Sequence, residues 1–216
     1  MTNSIETRED LNNLIATLKV KQRTAYSITV MVFSLIAWLA AGALVLEYAK
    51  LKKDPNHVAS CDFGGIFSCT SIMKTDQAHV FGFPNPWIGI FGFVLTFALG
   101  LALFINRKKE NKVTQYAPIL LQIGSVIGIA FICFFYITSV FVVAILCPWC
   151  MVVWTMTIPF FIYTTLFNIQ NRSTRLTQQV RNILNPAYLG LAIGIGYLLP
   201  LTIAIVRFSL LHETSE

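Results

Sequence analysis

The sequence predicts an all-α integral membrane protein, and three observations carry that prediction. Residues of the AVILMFWYC class make up 56% of the 216, only 12% are charged, and the mean hydropathy is +0.67. A soluble domain carries about 25% charged residues, so this chain has too few to cover a water-facing surface. The apolar residues fall in runs long enough to cross a bilayer, which takes about 20 residues as a helix. The basic residues, which leave a net charge of +6, cluster between those runs. That is the arrangement of membrane loops rather than of a nucleic-acid-binding face. A soluble globular enzyme, a nucleic-acid binder and a disordered scaffold are thereby excluded.

Residues 25–46 form the first predicted crossing and residues 86–105 the second. The stretch 116–167 has no charged residue and is too long for one crossing. It reads as two helices with a tight connection between residues 138 and 148. Residues 187–206 make a fifth crossing. The chain divides accordingly into a cytoplasmic N-terminal segment over 1–24, a four-helix bundle over 25–168 with an extracytoplasmic loop at about 47–85, and a last portion over 169–216. That last portion holds a cytoplasmic linker, the fifth helix and a short extracytoplasmic tail. No cleaved leader is expected, because the first apolar run is too long and starts only after residue 24. No soluble domain is expected after the fifth helix.

Orientation follows from lysine and arginine placement. Five crossings put Arg8, Lys19, Lys21, Arg23, Arg107, Lys108, Lys109, Lys112, Arg172, Arg175 and Arg181 on one side, and Lys50, Lys52, Lys53, Lys74 and Arg207 on the other. The larger share marks the cytoplasm, although the lysines at 50–53 run against this rule. Leu11, Leu14, Ile15 and Leu18 recur at helical spacing ahead of the first crossing. Such a stripe lies either along the cytoplasmic lipid surface or against the bundle's own loops. In the last helix Gly190 and Gly194, with Gly196 and Pro200 beyond, form a small-residue face suited to close helix packing.

Cysteine placement is the most informative feature. Cys61 and Cys69 lie in the loop between the first two crossings, and Cys147 and Cys150 form Cys-Pro-Trp-Cys at the start of the fourth. The topology puts both pairs on the extracytoplasmic side, where disulfide chemistry is permitted. If Pro148 takes the first helical position, where its missing N–H is not needed, Cys147 is the cap and Cys150 sits in the first turn. The electropositive helix end favours thiolates there, and a low-pKa thiolate is a good leaving group in disulfide exchange. Gly64 and Gly65 ease positive φ, so the loop can fold back to bring Cys61 and Cys69 together, and can also move. Two dithiols on one face suggest an electron relay with the loop pair outermost. Static structural disulfides are the competing reading. Zinc ligation with His57 or His79 is another, although the seven-residue spacer between Cys61 and Cys69 is not among the common ligand spacings. No metal is expected. Cys133, alone in mid-helix, reads as an inert apolar filler.

A relay needs an electron acceptor. Cys150 would face the bundle interior at headgroup depth, a position that a lipid-soluble quinone reaches from the bilayer. Aromatic and soft residues surround it in the sequence: Phe63, Met73, Phe81, Phe83, Trp87, Trp149 and Trp154. Aromatics at such a depth also serve as belt anchors. Asn85, between Pro84 and Pro86, either donates to a quinone carbonyl or caps the second helix.

The series Cys61-Asp62-Phe63-Gly64-Gly65 through Ser68-Cys69, then Phe81-Gly82-Phe83-Pro84-Asn85, Gly89 and finally Cys147-Pro148-Trp149-Cys150 resembles the vitamin K epoxide reductase family. It is most similar to the bacterial homologues that make disulfides, over about residues 25–168. The resemblance implies a four-helix transmembrane bundle around a quinone of the ubiquinone or menaquinone type, with a fifth transmembrane helix, in a bacterial inner membrane. It implies that Cys150 meets the quinone, that Cys69 bridges to Cys147, and that Cys61 faces an outside partner. Asn85 matches the family's quinone-carbonyl donor, and Phe63 and Met73 join the quinone contacts. Thr75 falls where the family usually has serine and keeps the hydroxyl. Trp154 falls where animal members have tyrosine and lacks the phenol, which speaks against epoxide reduction. Many bacterial members continue into a thioredoxin-like domain. Here the chain stops at Glu216, so a separate thioredoxin-fold protein on the extracytoplasmic side is the expected partner, with membrane lipid and quinone and no nucleic acid.

The expected function is thiol–disulfide oxidoreduction that carries electrons from that partner through both cysteine pairs to the quinone. An epoxide or quinone reductase with the opposite net emphasis, and a structural membrane protein with static disulfides, are the alternatives.

Overall fold

In the computed structural model the backbone is described for residues 2–80, 82–172 and 186–213, and the side chains for 9–80, 82–171, 194–207 and 209. The linker assigned around 173–185, the tail at 214–216, Phe81 and the side-chain packing at Gly190 lie outside the described residues. Among the described residues six α-helices run in chain order: α1 (Thr2–Lys53), α2 (Cys69–Met73), α3 (Pro86–Ile105), α4 (Lys112–Ile137), α5 (Pro148–Arg172) and α6 (Pro186–Glu213). Counting only residues whose side chains are described, four of these, α1, α3, α4 and α5, are long and apolar enough to cross a membrane, and the described part of α6, Gly194–Arg207, is a shorter apolar helix. Among the described residues there is no β-strand beyond two isolated bridges. The protein is an all-α membrane bundle.

Segment 2–24 is continuous with the first crossing. It is the beginning of the same helix, α1. The reason is in the sequence: no glycine or proline interrupts the chain before Gly42, and proline first occurs at Pro55, just past the helix end. Leu11, Leu14, Ile15 and Leu18 are all exposed, at 56, 56, 44 and 56%, so the bundle's own loops do not cover the stripe. The lysines that contradict the charge rule, Lys50, Lys52 and Lys53, occupy the last turn of α1. There they complement the negative end of the helix dipole.

The remaining ends are equally local. Pro86 opens α3, where a missing N–H costs nothing. A capping box opens α4: Thr114 N–H donates to Asn111 Oδ1 and Asn111 N–H to Thr114 Oγ1, both at 3.1 Å. α4 continues into a π-helical turn over Thr138–Val143 and ends at Ala144, whose φ of 56° is left-handed. Only residues 144–147 then separate it from α5, in the place where the sequence requires a tight connection.

Around the bundle, α1 packs on α3 and on α5, and α5 packs on α4; α3 and α4 meet least closely. Small residues set the tight contacts, as is usual between membrane helices. A Cβ at Gly100 would lie 3.0 Å from Val30 Cγ1, so α1 and α3 approach only because that atom is missing. On the described part of α6 a Cβ at Gly196 would lie 3.3 Å from Ile158 Cγ2, whereas one at Gly194 would face open space. At one end of the bundle Tyr26 stacks on Phe167 (3.8 Å, 4°) within a core that includes Leu103, Leu121 and Phe160. At the other, Cys61, Cys69 and Cys147 are themselves core residues, packed with Leu44, Ala59 and Met73. The loosely joined α3–α4 side leaves room for a cavity beside that second core.

Candidate functional site

Cys61 and Cys69 form a disulfide, while Cys147 and Cys150 are free thiols. Gly64 and Gly65 take φ of 84° and 60°, and the chain between the two cysteines folds back as the glycine pair suggests. Cys69 is the first residue of α2. Ser68 caps that helix by accepting from Ser71 N–H at 3.1 Å. The segment before Cys69 is also paired with the segment before Cys147. Ser68 N–H donates to the Leu146 carbonyl at 3.1 Å, and Leu146 N–H to the Ile66 carbonyl at 2.7 Å. This short parallel bridge brings the two cysteines abreast. Cys69 Sγ lies 3.5 Å from Cys147 Sγ, a contact of sulfurs rather than a bond.

Cys61 is held by different means. Just before it, His57 Nε2 and Ser60 Oγ reach the carboxylate of Glu47 on α1 at 2.8 and 3.1 Å, and Lys50 Nζ reaches it at 3.0 Å. Ala59 N–H donates to Thr70 Oγ1 at 2.9 Å, and Thr70 N–H to Asp62 Oδ1 at 3.0 Å. Burial works against the charge on Asp62. The hydrogen bonds from the Thr70 hydroxyl and from the Thr70 and Cys69 backbone prevail, and they hold its carboxyl below the ordinary aspartate value. All of this leaves Cys61 only 3% exposed. The sulfur expected to face outward is covered in this state, because the 54–60 segment is folded down onto Glu47.

At the start of α5 the sequence places Pro148 first, with Cys147 ahead of it and Cys150 in the first turn, and the structure agrees. Cys150 N–H points at Cys147 Sγ at 3.4 Å. The Cys150 thiol donates to the Cys147 sulfur and, with the Cys150 and Trp149 backbone N–H groups, outweighs burial; Cys147 is held below the ordinary thiol value. The donors of the helix end thus converge on Cys147, the buried member (2% exposed).

Cys69, Cys147 and Cys150 all line a cavity of about 410 Å³ that runs down the bundle between α3 and α4. Near the cysteines it offers a few polar groups, among them Thr75, Gln77 and Asn85. Farther in, apolar side chains such as Leu99, Leu121 and Phe131 dominate. Such a lining suits a lipid-borne ring carrying an apolar tail, with carbonyls at the polar end.

Of the five predicted quinone contacts, Met73, Thr75, Asn85 and Trp154 line this cavity. Phe63 does not: it is 74% exposed, because the glycine turn after it directs the loop tip away from the bundle. Asn85 does not cap α3 with its side chain. Its Oδ1 accepts from Val80 N–H at 3.2 Å and one Nδ2 proton goes to the Gln77 carbonyl at 2.6 Å, which leaves its second amide proton for a ligand. Thr75 gives its hydroxyl proton to the Ile72 carbonyl at 2.7 Å. Trp154 meets Tyr136 edge-on at 5.6 Å. His57 and His79, weighed as zinc ligands, are engaged instead with Glu47 and with the Tyr48 hydroxyl (3.0 Å).

Tyr48 and Glu47 were missed at the sequence level. Glu47 did leave a signal, as the one acid between residue 11 and residue 53, at the end of an apolar run. Tyr48 left none, since an aromatic at that depth looks like any belt residue. The bridge at Leu146 was likewise illegible, because a backbone pairing across that distance has no side-chain signature.

Against this geometry stand the comparisons with known proteins. The model of the vitamin K epoxide reductase family matches residues 28–165. A comparison with curated proteins gave no match.

Proposed function

The chain belongs to the vitamin K epoxide reductase family, and from that premise we propose that this membrane oxidoreductase oxidises a thioredoxin-fold protein and delivers the electrons to a membrane quinone of the ubiquinone or menaquinone type. The active face is extracytoplasmic and the membrane is a bacterial inner membrane, with the N-terminus in the cytoplasm. One observation carries the reading: Cys69 Sγ lies 3.5 Å from Cys147 Sγ while Cys150 lines an apolar cavity.

A partner thiolate attacks the loop disulfide at Cys61, and the loop leaves as a dithiol while the partner is oxidised. Cys69 then attacks Cys147 in the Cys147–Cys150 disulfide and displaces Cys150 into the cavity. Cys61 attacks Cys69 in the mixed disulfide, and Cys147 leaves. The donors at the start of α5 make Cys147 a good leaving group, so the loop disulfide reforms. The bonded loop pair and the two free thiols of the helix pair are the pattern this stage of the cycle calls for, which supports the reading. A quinone held beside Asn85, Thr75, Met73 and Trp154 would supply the two-electron sink that returns Cys147 and Cys150 to a disulfide. Static structural disulfides do not explain a free thiol in contact with a bonded sulfur, beside a second free thiol on a cavity.

The test is quinone-dependent oxidation of a reduced thioredoxin-fold protein by the purified full chain. Cys150→Ala is expected to abolish steady turnover. If that variant oxidises the partner as fast as the unmodified chain, the relay is wrong.

A further inference from the structure

Outside the polar end of the cavity, a second hollow of about 340 Å³ lies between the end of α1 and the loop. The two hollows share a wall made by Tyr48, Met73 and Thr75. His79 lines the outer hollow; its Nε2 is 3.0 Å from the Tyr48 hydroxyl and its Nδ1 is 3.4 Å from the Thr75 carbonyl oxygen. Within the shared wall Met73 has no proton to give, and the Thr75 hydroxyl proton is already on the Ile72 carbonyl. The Tyr48 phenol both donates and accepts. Its partner is an imidazole, the side chain suited to exchanging protons with water near neutral pH.

Proton balance at the proposed site calls for such a pair. A quinone takes up two electrons and two protons. Disulfide exchange expels Cys147 as a thiolate, and with the pair then carrying the single proton of Cys150, closing the Cys147–Cys150 bond releases two electrons and that one proton. The second proton has to come from water, across a wall in which only Tyr48 has a hydroxyl proton not already given to a backbone carbonyl.

Resting on the proposed function, we propose that Tyr48 and His79 conduct this second proton from the outer hollow to the quinone site. Cys147 and Cys150 become one disulfide, and their two electrons and the Cys150 proton pass to the quinone. Tyr48 gives the remaining proton, His79 replaces it on Tyr48, and water restores His79. The charged groups that face His79 in the outer hollow are Lys52 from α1, Lys74 from the end of α2, and Asp76 from the 3₁₀ turn Asp76–His79. Lys74 reaches away to the Pro55 carbonyl at 3.2 Å.

The test uses the full chain in lipid vesicles with a short-chain ubiquinone analogue. Tyr48→Phe keeps the ring and loses the hydroxyl, and His79→Gln keeps a hydrogen-bonding group that cannot titrate. Each is expected to slow single-turnover quinol formation about tenfold or more, in keeping with general acid–base effects, and to flatten its dependence on outer pH. Added imidazole is expected to restore His79→Ala. Exchange between the two cysteine pairs, trapped without quinone, is expected to keep its rate. Nitrogen NMR of the quinone-free chain is expected to show the His79 ring signals shifting in Tyr48→Phe, because the phenol hydroxyl is the partner of Nε2. The inference is overturned if both variants form quinol at the unmodified rate, if thiol exchange falls in step with quinol formation, or if the His79 signals are the same in Tyr48→Phe. An unmodified chain that exchanges thiols but reduces no quinone overturns the proposed function itself, and the inference with it.

Discussion

The half of the loop that carries Cys69 is tied to the bundle by backbone: α2 begins at Cys69, and Ser68, Ile66 and Leu146 exchange main-chain hydrogen bonds. The half that carries Cys61 is tied by side chains, through Glu47 to His57 and Ser60, and through Thr70 to Ala59 and Asp62. Both sulfurs are buried to nearly the same degree, Cys61 at 3% and Cys69 at 0%, so exposure alone does not distinguish them. The difference is in what must break for each to move. A segment held by exposed or half-buried polar side chains opens at lower free energy than one held by a helix and a main-chain bridge. The contact with Cys147 is therefore the fixed joint of the loop, and access to Cys61 is its adjustable one.

The sharpest way to break this comparison is to leave one cysteine from each pair. Cys61→Ala with Cys150→Ala leaves Cys69 and Cys147, which are expected to link almost completely on mild oxidation. Cys69→Ala with Cys147→Ala leaves Cys61 and Cys150, which are expected to stay unlinked within the chain. Non-reducing peptide mapping by mass spectrometry reads both. Equal cross-linking in the two variants would show that the bridge at Leu146 does not hold the joint.

Glu47→Ala strikes the adjustable half. It removes a buried acceptor of three hydrogen bonds and is expected to weaken the folded loop by about 1–3 kcal/mol. After reduction, Cys61 should then be alkylated much faster while Cys69 changes little. Similar acceleration at both cysteines would mean that the halves open together.

The pH dependence of Cys147 probes the fixed side. A thiol held below its unfolded value contributes stability that is fully present above the unfolded range and is lost as pH falls through the folded value. Thiolate absorbance at Cys147 in the reduced chain is therefore expected to persist below the ordinary cysteine range, near 8.5. Cys150→Ala, which deletes the first of its donors, is expected to move the midpoint upward. An unchanged midpoint would leave the donor role without support. The smallest effect is expected from Thr70→Val. It removes the acceptor of Ala59 N–H and should cost about 1 kcal/mol, seen as a modest fall in melting temperature in detergent.

Much of this was legible in the residues, and unevenly so. The apolar runs that became α3, α4 and α5 could be read within a few residues, because a bilayer demands an uninterrupted apolar length whatever the packing. That residues 2–24 share one helix with the first crossing was less legible, since polarity changes at residue 25 while helix propensity does not. The Cys-Pro-Trp-Cys geometry was legible for a local reason: proline in the first turn places its neighbours. That Phe63 lies away from the cavity lining was not legible, because proximity in sequence to a site cysteine says nothing about the direction of the turn that follows.

The residues by themselves determined that this chain enters a membrane, that its long segments are helices, and that two cysteine pairs accompany them in a known family's order. Those properties are sums over local composition and short spacings, and no distant partner alters them. The tertiary structure supplied the main-chain bridge that sets Cys69 against Cys147, a pairing the family resemblance already implies, and it alone decided that Asn85 keeps an amide proton free at the cavity and that Tyr48 stands between two hollows with His79 behind it. Each of these depends on groups 5 to 78 positions apart, brought together by a main-chain bridge and by how closely the helices pack, and neither leaves a pattern in the order of residues.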